Sequence, residues 1–101
     1  MKEQITVYDT AEIFNSPEEI EEYIRVVCEE GDPKMITIAL GNAARAYGML
    51  NVAKDTGLGR ESLYKSLSGE SKPYFETIAK VADSLGYKIQ LVRKNSLNTT
   101  L

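Results

Sequence analysis

Apolar positions recur at helical spacing through most of this chain and alternate with polar ones only near its two ends. Ser16-Pro17-Glu18-Glu19 opens the first clear helical period. Ser16 can cap free N–H groups, Pro17 suits the first helical position, and Glu19 completes a capping box. Ile20, Tyr23, Ile24 and Val27 then follow at steps of three and four, which makes one buried stripe and predicts a helix to about Glu30, ended by Gly31. Cys28, next to that stripe, reads as a small core residue. Asp32-Pro33 repeats the cap-plus-proline signal for a second helix reaching about Tyr47, and Gly48 terminates it. Ile36, Leu40, Ala43, Ala44 and Tyr47 give this helix the apolar density of a central element. Three shorter helices are expected at about Leu50 to Thr56, Arg60 to Leu67, and Tyr74 to Leu85, the last introduced by Pro73 and stopped by Gly86.

The alternating stretches lie outside these helices. Tyr87-Lys88-Ile89-Gln90-Leu91-Val92 predicts a strand with one buried face, and Gln4 to Tyr8 reads as a short strand or an extended arm. A lone strand needs a partner, so residues 87–92 are expected to pair either with residues 4–8 or with their own copy in a second subunit. The fold class expected is mainly α: five helices, a short C-terminal β-strand and the open alternative of a short N-terminal one. The whole of 1–101 is expected as a single domain, with an N-terminal arm and two helices over 1–48, three short helices over 49–86, the strand at 87–92 and a flexible tail at 93–101.

Composition narrows the function. At 101 residues with 43% apolar and 27% charged residues, the chain has the makings of one packed core and no more. No apolar run approaches the length of a membrane span and the N-terminus lacks a signal-peptide pattern, so a cytoplasmic protein with no membrane partner is expected. One cysteine and no histidine leave no Cys/His zinc cluster, no Ser-His-Asp triad and no Cys-His pair. No carboxylate pair demands acid/base chemistry. The expectation is therefore a protein that is not an enzyme and carries no cofactor or metal.

Charge is divided unevenly. Residues 1–53 hold four basic side chains against ten acidic ones, a net of −6, whereas residues 54–101 hold eight against five, a net of +3. Two faces with different partners would produce such a division, as would acids that merely decorate solvated helices.

The segment from Val52 to Lys65 has the spacing needed where two short helices meet at a steep angle across a tight turn. Ala53 is small where the second helix crosses, Gly57 can take a left-handed turn conformation, and Leu58 and Leu63 fill the angle between the helices. This helix-turn-helix resembles that of phage-repressor-like (Xre-type) proteins, in which the second helix enters the DNA major groove. A longer run, Gly57-Leu58-Gly59-Arg60-Glu61-Ser62-Leu63-Tyr64-Lys65-Ser66-Leu67-Ser68-Gly69, continues through Pro73, Phe75, Thr77 to Val81 and Leu85 to Lys88. Together with Tyr8-Asp9, Glu12, Glu30 to Pro33, Ala39 to Gly41 and Gly48-Met49, it looks like the addiction-module antidote (HigA-type antitoxin) family, and the likeness covers nearly the whole chain. That resemblance implies a repressor-like helix-turn-helix domain, a sequence-specific DNA-binding antitoxin that represses its own operon, and a small toxin as its partner. Gly59, Tyr74 and Leu50 depart from it, standing where the family commonly has capping Ser, Ser and Thr.

On the expected recognition helix, Arg60, Glu61, Ser62, Tyr64, Lys65 and Ser68 are the candidate DNA contacts, joined by Lys54 and Lys72 from its flanks. Arg60 has the two-pronged donor geometry for a guanine edge, and Glu61 can accept from cytosine or orient Arg60. Lys65, Lys72 and Lys54 suit phosphates. Tyr64 could cover a thymine methyl or pack on the loop from Gly69 to Pro73. Glu18, Glu21 and Glu22 form the candidate surface for a basic, RNA-cleaving toxin. The partners expected are double-stranded operator DNA, a cognate toxin and a second copy of the chain. Two alternatives stay open: a stand-alone, phage-derived transcriptional regulator without a toxin, and a protein-interaction module that no longer binds DNA.

Overall fold

A computed structural model describes residues 16–94. The expected strand or arm at 4–8 and most of the expected tail lie outside the described residues. Five helices run in order: α1 (Pro17–Glu30), α2 (Pro33–Tyr47), α3 (Met49–Thr56), α4 (Arg60–Ser66) and α5 (Phe75–Ser84).

The first two helices start where the sequence signals them. Ser16 Oγ accepts a hydrogen bond from the Glu19 N–H at 3.2 Å, and Asp32 Oδ1 accepts from the Lys34 N–H at 3.0 Å. Each helix has proline in its first turn, where the missing N–H costs nothing. α1 lays Ile20, Tyr23, Ile24 and Val27 against α2, and the Asn42 amide in α2 donates to the Tyr23 hydroxyl across that seam at 2.9 Å. Cys28 is exposed, contrary to the core position expected for it. It follows Val27 by one residue, a rotation of about 100° that carries it off the buried stripe.

α2 is central. All of Ala39–Ala44 is buried, and the helix packs against α1, α3 and α5. Small residues permit that crowding. A Cβ on Gly41 would come within 2.9 Å of the Leu67 carbonyl, so only glycine allows α2 to approach the chain leaving α4 this closely. Val52, Leu63, Leu67 and Val81 are the largest fully buried side chains, and with Met49 they join the short helices to α2. The Ser84 hydroxyl donates to Asp55 at 2.9 Å and ties the ends of α3 and α5 together.

Residues 87–94 form neither helix nor strand, and there is no strand among the described residues, so the C-terminal strand expected at 87–92 is not present. Its alternation implies an extended segment with one apolar face, but a ladder also needs a free backbone edge beside it. Every other described element is a helix whose backbone groups are committed internally. The Tyr87 N–H turns back instead to the Ala82 carbonyl at 2.9 Å, closing α5, and Leu91 and Val92 stay exposed.

Candidate nucleic-acid interface

The turn between α3 and α4 sets the angle of the surface helix. Thr56 donates its hydroxyl to the Val52 carbonyl at 2.8 Å and accepts from the Leu58 N–H at 3.2 Å, so one side chain closes α3 and begins the turn. Gly57 then takes φ 78° and ψ 10°, the left-handed conformation that costs a side chain about 1–2 kcal/mol. Leu58 packs against the core, and the Gly59 carbonyl accepts the first α4 bond from Leu63 at 3.0 Å.

α4 is only seven residues long and is anchored by Leu63, whose exposure is 0%. Arg60, Glu61, Ser62, Tyr64 and Lys65 are all exposed, so five candidate residues share the outer surface of one short helix. Lys54 is exposed on the last turn of α3. Lys72 stands apart in the loop after α4, where it lines a groove of about 570 Å³ with Pro33, Ile36, Gly69 and Phe75. Ser68 is exposed but its hydroxyl is engaged locally: it donates to the Lys65 carbonyl at 3.0 Å and accepts from the Glu70 N–H at 3.1 Å. The Ser71 hydroxyl donates to the same carbonyl, also at 3.0 Å. These two serines close the C-terminal end of α4.

Helix starts in this region lack side-chain caps. Gly48, Gly59 and Tyr74 occupy the N-cap positions of α3, α4 and α5, and none makes a side-chain capping bond. Gly59 and Tyr74 are the positions expected from the sequence to be weak, but the third weak start falls on Gly48 and not on Leu50, because α3 begins at Met49. The Asn51 amide reaches back to the Tyr47 carbonyl at 3.1 Å and binds the short connection from α2.

Tyr64 has a partner that sequence reasoning missed. The guanidinium carbon of Arg45, in the last turn of α2, lies 5.3 Å from the centroid of the Tyr64 ring. Burial lowers the pKa of this arginine, and Tyr64 opposes the shift. The sequence marks Arg45 only as the single charged residue between Lys34 and Lys54, which singles it out without naming Tyr64 as its partner.

The acidic candidates Glu18, Glu21 and Glu22 are all exposed on α1. Glu22 is shared with Arg25, which also bonds Glu29 at 2.9 Å, so part of this surface is neutralised within the helix. Burial pushes the Tyr87 phenol up, with Glu21 and Cys28 adding to the shift. Among the described residues no three acidic or sulfur side chains converge as metal ligands, and no helix is long and apolar enough to cross a membrane.

Comparison with known proteins adds the family. A family model described as "Probable addiction module antidote protein" matches residues 4–93. A protein of Haemophilus influenzae, described only as uncharacterized, is 42% identical over 91 residues, which span 90% of this chain and 94% of that relative. No solved structure gives a significant match.

Proposed function

Since the chain belongs to the probable addiction module antidote family, we propose that it is the antitoxin of a toxin–antitoxin module, a HigA-type protein with an Xre-like helix-turn-helix that represses its own operon and neutralises a small toxin. In this reading α3 and α4 form the helix-turn-helix, and α4 enters the major groove of operator DNA. The observation that carries it is the division of α4 into one wholly buried anchor, Leu63, and an exposed set of Arg60, Glu61, Ser62, Tyr64 and Lys65. Arg60 reads a guanine edge, Glu61 a cytosine amine or the Arg60 guanidinium, and Lys65, Lys54 and Lys72 neutralise phosphates. The protein binds as a homodimer, so that two copies of α4 meet half-sites about 34 Å apart or a multiple of that.

Toxin capture falls to the acidic half of the chain. Glu18, Glu21 and Glu22 offer carboxylates to the basic surface that an RNA-cleaving toxin needs for phosphate, and opposite fields speed the encounter. A stand-alone regulator would share every DNA contact but has no use for this face, and the family match favours the antitoxin.

Gel-shift titration against the chain's own promoter and a scrambled duplex tests the DNA reading. Arg60→Ala should cost about 1–3 kcal/mol on the operator and relax preference at one base pair, while Lys65→Ala should weaken both duplexes alike. Equal binding of wild type to both duplexes at moderate salt would defeat it. Co-expression with the product of the adjacent reading frame tests the antitoxin reading. Growth should be rescued by wild type, and reversing Glu18, Glu21 and Glu22 to Lys should slow association with that product.

A further inference from the structure

One cation beside α4 has no role in the reading above. Arg45 belongs to α2, yet its guanidinium lies over the Tyr64 ring of α4. Its Nη1 atom is turned inward, buried and without a hydrogen-bond partner, and a Cβ built on Gly41 would stand 3.2 Å from it. Among the described residues, ion pairs join Arg25 to Glu22 and Glu29 and Lys80 to Glu76, and no carboxylate reaches Arg45. A guanidinium cannot discharge itself by losing a proton, so the fold keeps a half-buried positive charge that, among the described residues, faces a ring and no carboxylate. Such a contact offsets part of the desolvation and holds the planar group in one orientation. It does not neutralise it.

The ring that orients Arg45 belongs to the helix whose exposed side carries Arg60, Glu61 and Lys65, which sets the guanidinium at the border of the same surface. Nη1 faces inward, but the other guanidinium nitrogens are not among the buried atoms, and from that border their N–H donors match the oxygens of a phosphodiester. We propose that Arg45, oriented by Tyr64, contacts a backbone phosphate of the duplex bound by α4. The inference rests on the DNA-binding reading and deepens it. It gives Tyr64 the task of aligning a phosphate contact and assigns α2 a direct share in docking. Because phosphates carry no sequence information, the contact fixes the depth and tilt of α4 without choosing bases.

The test is the salt dependence of binding by the full chain, measured on the promoter duplex and on scrambled duplex. Two neutral variants, Arg45→Met and Arg45→Gln, are compared with Arg45→Lys, with folding checked by circular dichroism so that either neutral variant that folds decides. Removing one phosphate contact should lower the slope of log affinity against log salt by about 0.9. Affinity should fall by about tenfold on both duplexes alike, and Arg45→Lys should restore most of the slope while losing the fork geometry. Tyr64→Leu should keep the slope and bind more weakly, since the charge remains but is no longer aligned. An unchanged slope in a folded neutral variant, with Arg60→Ala still losing operator preference, overturns the Arg45 contact alone. Failure of wild type to prefer its operator overturns the DNA reading and this inference with it.

Discussion

The two halves of this molecule hold their helices by different means. α1 and α2 are 14 and 15 residues long, begin with a side-chain cap at Ser16 and Asp32, and carry proline in the first turn. α3, α4 and α5 are 8, 7 and 10 residues long and begin at Gly48, Gly59 and Tyr74 with no side-chain cap. Isolated helices shorter than about 12–15 residues are marginal in water, so the second set exists because of what it buries. Val52, Leu63, Leu67 and Val81 supply that burial. The difference teaches where a small domain can place a working surface. The capped, acidic half is a scaffold that local signals help to hold. The basic half leaves the outer side of α4 free for contacts, and its shape depends on apolar anchors below.

The sharpest way to break this comparison is to remove the anchor of the shortest helix. Leu63→Ala should destabilise the protein by about 2–5 kcal/mol, the usual cost of a lost buried leucine and the cavity it leaves. Urea unfolding followed by circular dichroism measures it. A loss under about 1 kcal/mol would mean that α4 is held by something other than its buried residue.

The next test acts on the other half. Asp32→Ala should cost about 1 kcal/mol through the loss of its bond to the Lys34 N–H. Tyr74→Ala, at a start that already lacks a cap, should cost little by that route. Amide exchange distinguishes local from global effects, because losing the cap should speed exchange in the first turn of α2 before the rest of the chain. Equal losses at Asp32 and Tyr74 would erase the distinction between the halves.

How much of this was legible depends on the kind of signal. Helix positions were written locally, in Ser16-Pro17, Asp32-Pro33 and the periods of three and four, and the five helices lie within a residue or two of expectation. The left-handed turn at Gly57 was legible for the same reason, since few residues other than glycine sit there comfortably. Residues 87–92 were not, because alternation states which face is apolar but not whether a neighbouring backbone is available to pair. Cys28 failed by one step of helical rotation, which sequence adjacency to Val27 concealed. Arg45 and Tyr64 stand 19 positions apart, and their contact depends on how closely α2 passes the end of α4. That approach is set by Gly41 against Leu67, a tertiary fact no local pattern states. Ser68 looked like a surface contact because its hydrogen bonds run to backbone groups, which sequence does not display.

The smallest effect expected is also the most discriminating, because two glycines of one turn should respond with opposite signs. A Cβ at either Gly57 or Gly59 would meet nothing within 4 Å, so space does not separate them. Backbone does. Gly57 has φ 78°, where a side chain is strained, whereas Gly59 has φ −73° and ψ 150°, an ordinary extended conformation at an N-cap. Gly57→Ser should therefore destabilise by about 1 kcal/mol, set by the left-handed penalty. Gly59→Ser should stabilise by a few tenths of a kcal/mol, because a serine oxygen can accept one of the free N–H groups at the start of α4. In a domain of this size that gain corresponds to roughly 1–2 °C in melting temperature, within reach of replicate calorimetry. The same serine would add a polar group beside the proposed phosphate contacts, and affinity for promoter and scrambled duplex should then rise together. A Gly59→Ser protein that melts lower than wild type would show that the first turn of α4 is constrained by more than its missing cap, and the contrast between a capped scaffold and an uncapped working half would have to be redrawn at that turn.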